Sequence, residues 1–239
     1  MKYRKFAELE STQLYGIEHK EELGDREVIV CDVQTGGIGR GGSNWISSAA
    51  SLTISICWRE LGVANPALGT LLVVKRVLES YGVRNLLVKW PNDLYLVAET
   101  GEVGLGEKMG RGKKIGGVLV NVVTTERGPL SIIGLGVNLA NMQPLADLAQ
   151  FGYQLDKEVL IGQIVEGVEL AFQAGHEEVW GCFFPWPYVY FLGQKCTIES
   201  IADELVLSGP LGHTFSISSQ YSYCPDTNQI YLKSKHPFN

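Results

Sequence analysis

Three clusters of residues carry side chains suited to chemistry on a small polar or anionic molecule. Lys89-Trp90-Pro91-Asn92-Asp93 sets a cation, an indole, an amide and a carboxylate side by side. Gln34-Thr-Gly-Gly-Ile-Gly-Arg40-Gly-Gly-Ser-Asn-Trp45 is a glycine loop with one cation, closed by an aromatic residue. Lys114 opens a third run, Lys-Ile-Gly-Gly, which is followed later by Gly134-Leu-Gly136-Val-Asn138. Such a loop exposes backbone N–H groups that surround an anion or an uncharged polar ring. A guanidinium neutralises phosphate, and an indole offers a stacking face. Each cluster also has a plainer explanation: a glycine-rich surface loop, a strand–Pro turn–strand with Asn and Asp chosen for the turn, a β-bulge at Gly116-Gly117, and a strand that bends near its end.

The elements that must position these residues follow from pattern. Val28–Val33 is a β-branched run that reads as a buried strand feeding the loop Gly36–Gly42. Gly37, Gly39 and Gly42 satisfy GxGxxG, but the SNWISSAASLTISI that follows offers no helix N-terminus for a pyrophosphate, so the dinucleotide-fold reading fails. Ser51–Trp58 alternates like a strand, and Pro66 opens an amphipathic helix to Tyr81, closed by Gly82. Leu86–Val97 predicts two strand pieces around a turn at WPND, because Pro is excluded from a central ladder. Ile115–Leu139 predicts a hairpin turning at Glu126-Arg127-Gly128-Pro129. Asp156–Phe184 has helical spacing, as one helix or two broken near Gly175. Pro185-Trp186-Pro187 marks a boundary, and residues 188–239 read as short strands of a small barrel or sheet.

Composition limits the remaining options. The chain has 239 residues, 45% of them hydrophobic, enough for one sizeable catalytic domain and a small appended one. A net charge of -6 argues against a nucleic-acid surface. The five cysteines form no CxxC pair and leave one over, and His19, His176, His213 and His236 lack ligand spacing, so neither a disulfide framework nor a protein-held transition metal is expected. Neither a signal peptide nor a stretch of about 20 apolar residues is present, so a cytoplasmic protein without a membrane span is expected.

The order EST, QTGGIGRGGSNW, VKWPNDLYL, KKIGGVLVN and GLGVN, spread over roughly residues 8–140, resembles the biotin protein ligases. Within them, GRGGSNW and KIGGVLVN look most like the eukaryotic holocarboxylase synthetase branch. The resemblance implies an α/β (α+β) fold: a class II synthetase-like mixed-sheet catalytic domain over residues 1–186 and a small C-terminal β (SH3-like) domain over 187–239. It implies an ATP-dependent, AMP-forming ligase that makes biotinyl-5′-AMP and passes biotin to a lysine of the biotin carboxyl carrier domain of an acyl-CoA or pyruvate carboxylase. Biotin, ATP and Mg²⁺ are the implied small molecules. DNA and membrane are not implied partners, since the EST motif near residue 10 leaves no room ahead of it for a winged-helix domain.

Carried onto matching positions, the resemblance gives Ser11, Thr12, Gln34, Gly37, Gly39, Arg40, Lys114 and Gly117 to biotin. It gives Arg40, Trp45, Asn92, Lys114 and Asn138 to ATP. Lys114, Arg40 and Asp93 are the expected catalytic residues, with Lys114 bridging the biotin carboxylate and the α-phosphate. Asp93 is also the position expected to hold Mg²⁺ through Mg-ATP. Gln13 stands where the family commonly has Asn and is left outside the site. Two further departures are Ile38, where the loop usually carries a first cation, and the long glycine-rich segment Ala98–Lys113. Rival readings are a lipoate protein ligase of the same fold and reaction type, and a biotin-binding protein with weakened catalysis.

Overall fold

Alternation along Ser51–Trp58 organises the molecule. Leu52, Ile54, Ile56 and Trp58 are buried on one face, while Ser51, Thr53, Ser55 and Cys57 are buried on the other. A strand buried on both faces needs neighbours on both edges and a layer above and below. A computed structural model supplies them; it describes residues 1–61, 63, 65–97, 112–174, 188–201, 204–218, 220–224 and 229–232.

In chain order the elements are β1 (Lys2–Leu9), α1 (Thr12–Glu18), β2 (Glu27–Gln34), β3 (Gly37–Ile38), β4 (Asn44–Trp45), β5 (Ser51–Trp58), α2 (Pro66–Ser80), β6 (Leu86–Lys89), β7 (Asp93–Leu96), β8 (Lys113–Thr125), β9 (Gly128–Asn138) and α3 (Lys157–Ala174). Six short strands follow: β10 (Tyr188–Phe191), β11 (Gln194–Ile201), β12 (Leu205–Ser208), β13 (Thr214–Ile217), β14 (Tyr221–Cys224) and β15 (Gln229–Leu232). The large sheet runs β1-β2-β5-β9-β8-β7-β6, parallel between β1 and β2 and antiparallel elsewhere. The second sheet runs β13-β12-β11-β10-β15-β14, and β3 and β4 form a two-stranded ribbon. This is a mixed α/β fold with a separate small β-sheet unit after it. The expected division at 186/187 lies outside the described residues.

Helices α2 and α3 cover the Leu52–Trp58 face, joining Leu71, Val74, Leu78, Ile164, Val168 and Phe172 to the main core. They approach closely where Gly69 meets Phe172 and Gly167 meets Val73. Asn65 caps α2 by accepting from the Leu68 N–H at 3.1 Å, with Pro66 at the first turn as expected from sequence. On the opposite face α1 covers a smaller core of Leu23, Ile29, Cys57, Leu130 and Ile132. The seven-residue α1 was not expected. It is too short for periodicity to declare it, and Ser11, read as a ligand residue, is its N-cap, accepting from the Gln13 and Leu14 N–H groups. α3 ends within the described residues at Ala174, so the expected helix beyond Gly175 lies outside them, as do residues 98–111 of the long glycine-rich segment. No helix among the described residues is long and apolar enough to cross a membrane.

At the start of β2, Glu27 is buried and ties the sheet edge together. Arg4 Nε lies 2.6 Å and Lys2 Nζ 3.3 Å from its Oε1, and the Gly24 N–H donates to Oε2 at 2.8 Å. Burial pushes its pKa up, but these hydrogen bonds and charges outweigh burial and hold the carboxyl at about 2, below its usual 4.5. A depressed carboxyl stabilises the fold above its unfolded pKa, and that stability is lost as pH falls through about 4.5 towards 2. Glu27→Gln is therefore expected to lower stability by roughly 2–3 kcal/mol at pH 7 and to flatten the loss of stability between pH 5 and 2. Urea melts of both proteins across that range check it, and parallel pH profiles would refute it.

Candidate functional site

The KWPND turn joins two strands of the large sheet and delivers its polar groups to one spot. Lys89 on β6 pairs with Asp93 on β7, and the Trp90–Pro91 peptide between them is cis. The Val118 N–H donates to Asn92 O at 2.9 Å, while Asn92 Nδ2 donates back to Val118 O at 2.8 Å, fastening the turn to β8. Asp93 then faces Gly117 across the β7–β8 ladder. Lys114 Nζ reaches Asp93 Oδ1 at 2.6 Å. A Cβ on Gly117 would sit 3.3 Å from that oxygen and 3.6 Å from Lys114 Cε, so the missing side chain makes room for the pair.

Above this ion pair lies a cavity of about 470 Å³, within the usual range of small-molecule sites. Among the described residues its wall carries Arg40, Lys89 and Lys114 against one carboxylate, that of Asp93, together with Trp45, Asn92, Ser43, Asn44 and Tyr231. The indole of Trp45 lies flat on β9: a Cβ on Gly136 would come within 2.4–2.7 Å of it. Lys114 Nζ stands 5.6 Å from that ring, and Lys89 Nζ stands 5.2 Å from the ring of Tyr95. Arg40 begins a single 3₁₀ turn, Arg40–Gly42, and its Nη2 donates to Tyr221 O of the second sheet at 3.5 Å. Burial lowers the Arg40 pKa from its usual value, opposed by the charges of Asp93 and Tyr231. The group remains a cation at neutral pH.

A second polar group sits beneath the glycine loop. The Thr12 N–H donates to Gln34 Oε1 at 2.8 Å, and the Thr12 hydroxyl lies 3.1 Å from the same oxygen. Gln34 Nε2 faces Gly37, whose missing Cβ would lie 2.9 Å from it. Ser55, on the polar face of β5, lies 2.9 Å from Thr12 Oγ1 and 3.1 Å from Gln13 Oε1. Gln13 in turn fills the space left by Gly134.

The residues expected from sequence thus fall into two groups. Gly39, Arg40, Trp45, Asn92, Asp93, Lys114 and Gly117 line the cavity together. Ser11, Thr12, Gln34 and Gly37 are not part of that lining; Ser11 and Thr12 are buried under the loop. Asn138 is also outside the lining: its Nδ2 donates to Ala146 O at 2.9 Å, while its buried Oδ1 has no partner among the described residues. Ile38 belongs to the β3–β4 ribbon opposite Asn44. The structure adds Lys89 and Tyr231 to the cavity wall and Gln13 and Ser55 to the second polar group. Serine and threonine at alternate positions of a wholly buried strand were a legible signal for Ser55. Nothing local in the sequence brings Tyr231 to this wall.

The sequence and the fold have counterparts among known proteins. Residues 5–138 match the Biotin/lipoate A/B protein ligase family. The chain is 30% identical over 186 residues to the bifunctional ligase/repressor BirA of Salmonella typhimurium, covering 71% of this chain and 53% of that protein. It is 35% identical over 127 residues to the human biotin–protein ligase, covering 49% of this chain and 16% of that one. The chain therefore spans about half the length of the BirA relative and a smaller part of the human one. Among solved structures, the fold is similar to the biotin protein ligase of Aquifex aeolicus in complex with biotin and ATP, with TM-score 0.68, 19% identity and coverage of 97% of this chain and 98% of that one. It is also similar to the Helicobacter pylori biotin acetyl coenzyme A carboxylase synthetase with bound biotinylated ATP, with TM-score 0.55, 24% identity and coverage of 97% and 96%. With more than half of its length in the family match and the same mixed-sheet fold around the cavity, the chain belongs to the Biotin/lipoate A/B protein ligase family.

Proposed function

We propose that this chain is a biotin protein ligase that forms biotinyl-5′-AMP from biotin and ATP and transfers biotin to a lysine of a biotin carboxyl carrier domain. One observation carries the reading: three cations, Arg40, Lys89 and Lys114, share one cavity wall with Asp93, the one carboxylate that lines it among the described residues, and with an indole. That charge balance suits the meeting of two anions, a carboxylate and a triphosphate, which repel each other strongly where water is excluded.

In the first step a biotin carboxylate oxygen bonds to the α-phosphorus and pyrophosphate leaves. Lys114 is placed to hold both reacting anions once it releases Asp93, and Arg40 to hold the phosphate of the adenylate. Trp45 offers its face to the adenine. The Oδ1 of Asn138, without a partner among the described residues and two residues along the strand from Gly136, supports a role as acceptor for the adenine amine. Mg²⁺ would enter with the nucleotide. No group of three or more His, Cys, Asp or Glu side chains gathers among the described residues. Asp93, the one carboxylate on the wall among the described residues, fits an ion held chiefly by phosphate and water, which would neutralise charge on the leaving pyrophosphate. In the second step the amine of the carrier lysine bonds to the acyl carbon of the mixed anhydride and AMP leaves. Its surplus proton has Asp93 as the nearest carboxylate on the wall. The acceptor would be a carboxylase carrier domain in the cytoplasm, a reducing setting that suits the free thiols of Cys31, Cys57 and Cys196.

Incubation with ATP, Mg²⁺, a carrier domain and either biotin or lipoate, followed by intact mass, tests the activity; a biotin increment is expected, and a lipoyl increment alone would refute it. Lys114→Gln keeps most of the side-chain length and loses the charge. It should slow biotin-dependent pyrophosphate exchange by roughly a hundredfold, about 3 kcal/mol, with Lys89→Gln slowed less. A wild-type rate in Lys114→Gln, with the protein folded, would remove Lys114 from this role. Trp45→Ala should weaken binding of an adenylate analogue by about 1 kcal/mol more than binding of biotin alone. Calorimetry with the two ligands compares them, and equal losses would make the indole a packing residue only.

A further inference from the structure

Ser55 has no solvent exposure, and its single hydroxyl proton faces two acceptors. The surroundings settle which way the neighbouring amides point. Gln13 has one amide atom 2.8 Å from Ile132 O and 2.8 Å from Asn121 Oδ1. A carbonyl oxygen only accepts, so that atom is Nε2, and Gln13 Oε1 is the acceptor directed at Ser55. Likewise the Thr12 N–H only donates, so the Gln34 atom it meets at 2.8 Å is Oε1.

The count of protons decides the rest. If Ser55 gave its proton to Thr12, the carbonyl of Gln13, which is 3% exposed and pressed against Gly134, would have no donor among the described residues, a condition that buried carbonyls rarely tolerate. Ser55 therefore donates to Gln13. The hydroxyl of Thr12 donates to Ser55 Oγ at 2.9 Å, the shorter of its two contacts, in place of Gln34 Oε1 at 3.1 Å. Thr12 Oγ1 is then left with unused lone pairs, and Gln34 Oε1 with room for one more donor.

We infer that Ser55 and Gln13 are positioning residues: they make Thr12 and Gln34, the positions that the family resemblance gives to biotin, hydrogen-bond acceptors suited to a ligand head with ring N–H groups. The inference rests on the biotin reading and deepens it, because the cyclic urea of biotin carries two such donors and the dithiolane of lipoate carries none. It also gives the Gln at position 13 a function: the amide spans from Ile132 and Asn121 to Ser55.

The test is calorimetric binding of biotin, lipoate and Mg-ATP to the full chain as wild type, Ser55→Ala, Thr12→Val and the double variant, each shown to be folded by thermal melting. Ser55→Ala lets the Thr12 hydroxyl turn to Gln34 and use up the free acceptor. Biotin should bind on the order of ten-fold more weakly, with Mg-ATP unchanged. Because Ser55 acts through Thr12, the double variant should bind biotin no more weakly than Thr12→Val. Ser55→Cys, close in size but a weak donor, should fall between wild type and Ser55→Ala, and it carries the same comparison if Ser55→Ala does not fold. Wild-type biotin affinity in Ser55→Ala, or losses that add in the double variant, would overturn the inference and leave the biotin reading standing. Wild-type protein that binds lipoate and no biotin would overturn both.

Discussion

Two positions without side chains on β9 shape everything around the site. Gly134 makes room for the amide of Gln13 and Gly136 for the indole of Trp45; a Cβ on either would come within 2.4 Å of its neighbour. The strand is held by β5 on one edge and β8 on the other, so it cannot retreat from a larger residue without breaking two ladders. A bare strip of backbone in a rigid sheet becomes a floor on which α1 settles from one side and the glycine loop from the other. The β8–β9 register sets Gly117 opposite Gly136, which places Asp93 and Lys114 beside the same strip.

Charge is arranged on that floor as a resting pair. Lys114 and Asp93 meet at 2.6 Å, but their side chains remain 42% and 18% exposed, so solvent screens the attraction and the pair exchanges readily for other partners. A fully buried pair of the same length would be expensive to separate, because each ion would be left without water or partner. The arrangement suits a lysine that must hold one anion at rest and others during the proposed adenylation.

The polar face of β5 shows a different balance. Ser51, Thr53 and Ser55 occupy a strand where apolar residues would pack as well, and each hydroxyl has found a partner: Met142 Sδ at 3.1 Å, Cys31 O at 2.7 Å and the Thr12–Gln13 pair. Buried hydroxyls contribute little net stability over apolar replacements, but they impose directions on their neighbours. The opposite face of the same strand is purely apolar and carries α2 and α3. One strand thus anchors the core on one side and orients hydrogen bonds on the other.

Local order was legible wherever a short span fixes its own geometry. Alternation declared β5, Pro66 and Gly82 bracketed α2, and WPND gave the turn between β6 and β7, because side-chain period and the limits on proline act within a few residues. The motifs also named most of the cavity wall, Arg40, Trp45, Asn92, Asp93, Lys114 and Gly117, since their residue types suit anions and rings wherever the chain puts them. The sequence by itself therefore determined which residue types are available for chemistry and where the local elements fall. Only the tertiary structure decided who meets whom: that Lys114 rests on Asp93, that Gln13 reaches Ser55 and Asn121, and that Tyr231 arrives from a strand more than a hundred positions beyond Lys114. Those contacts depend on sheet order and register, which are set by burial summed over the whole chain and leave no mark in any one stretch of it.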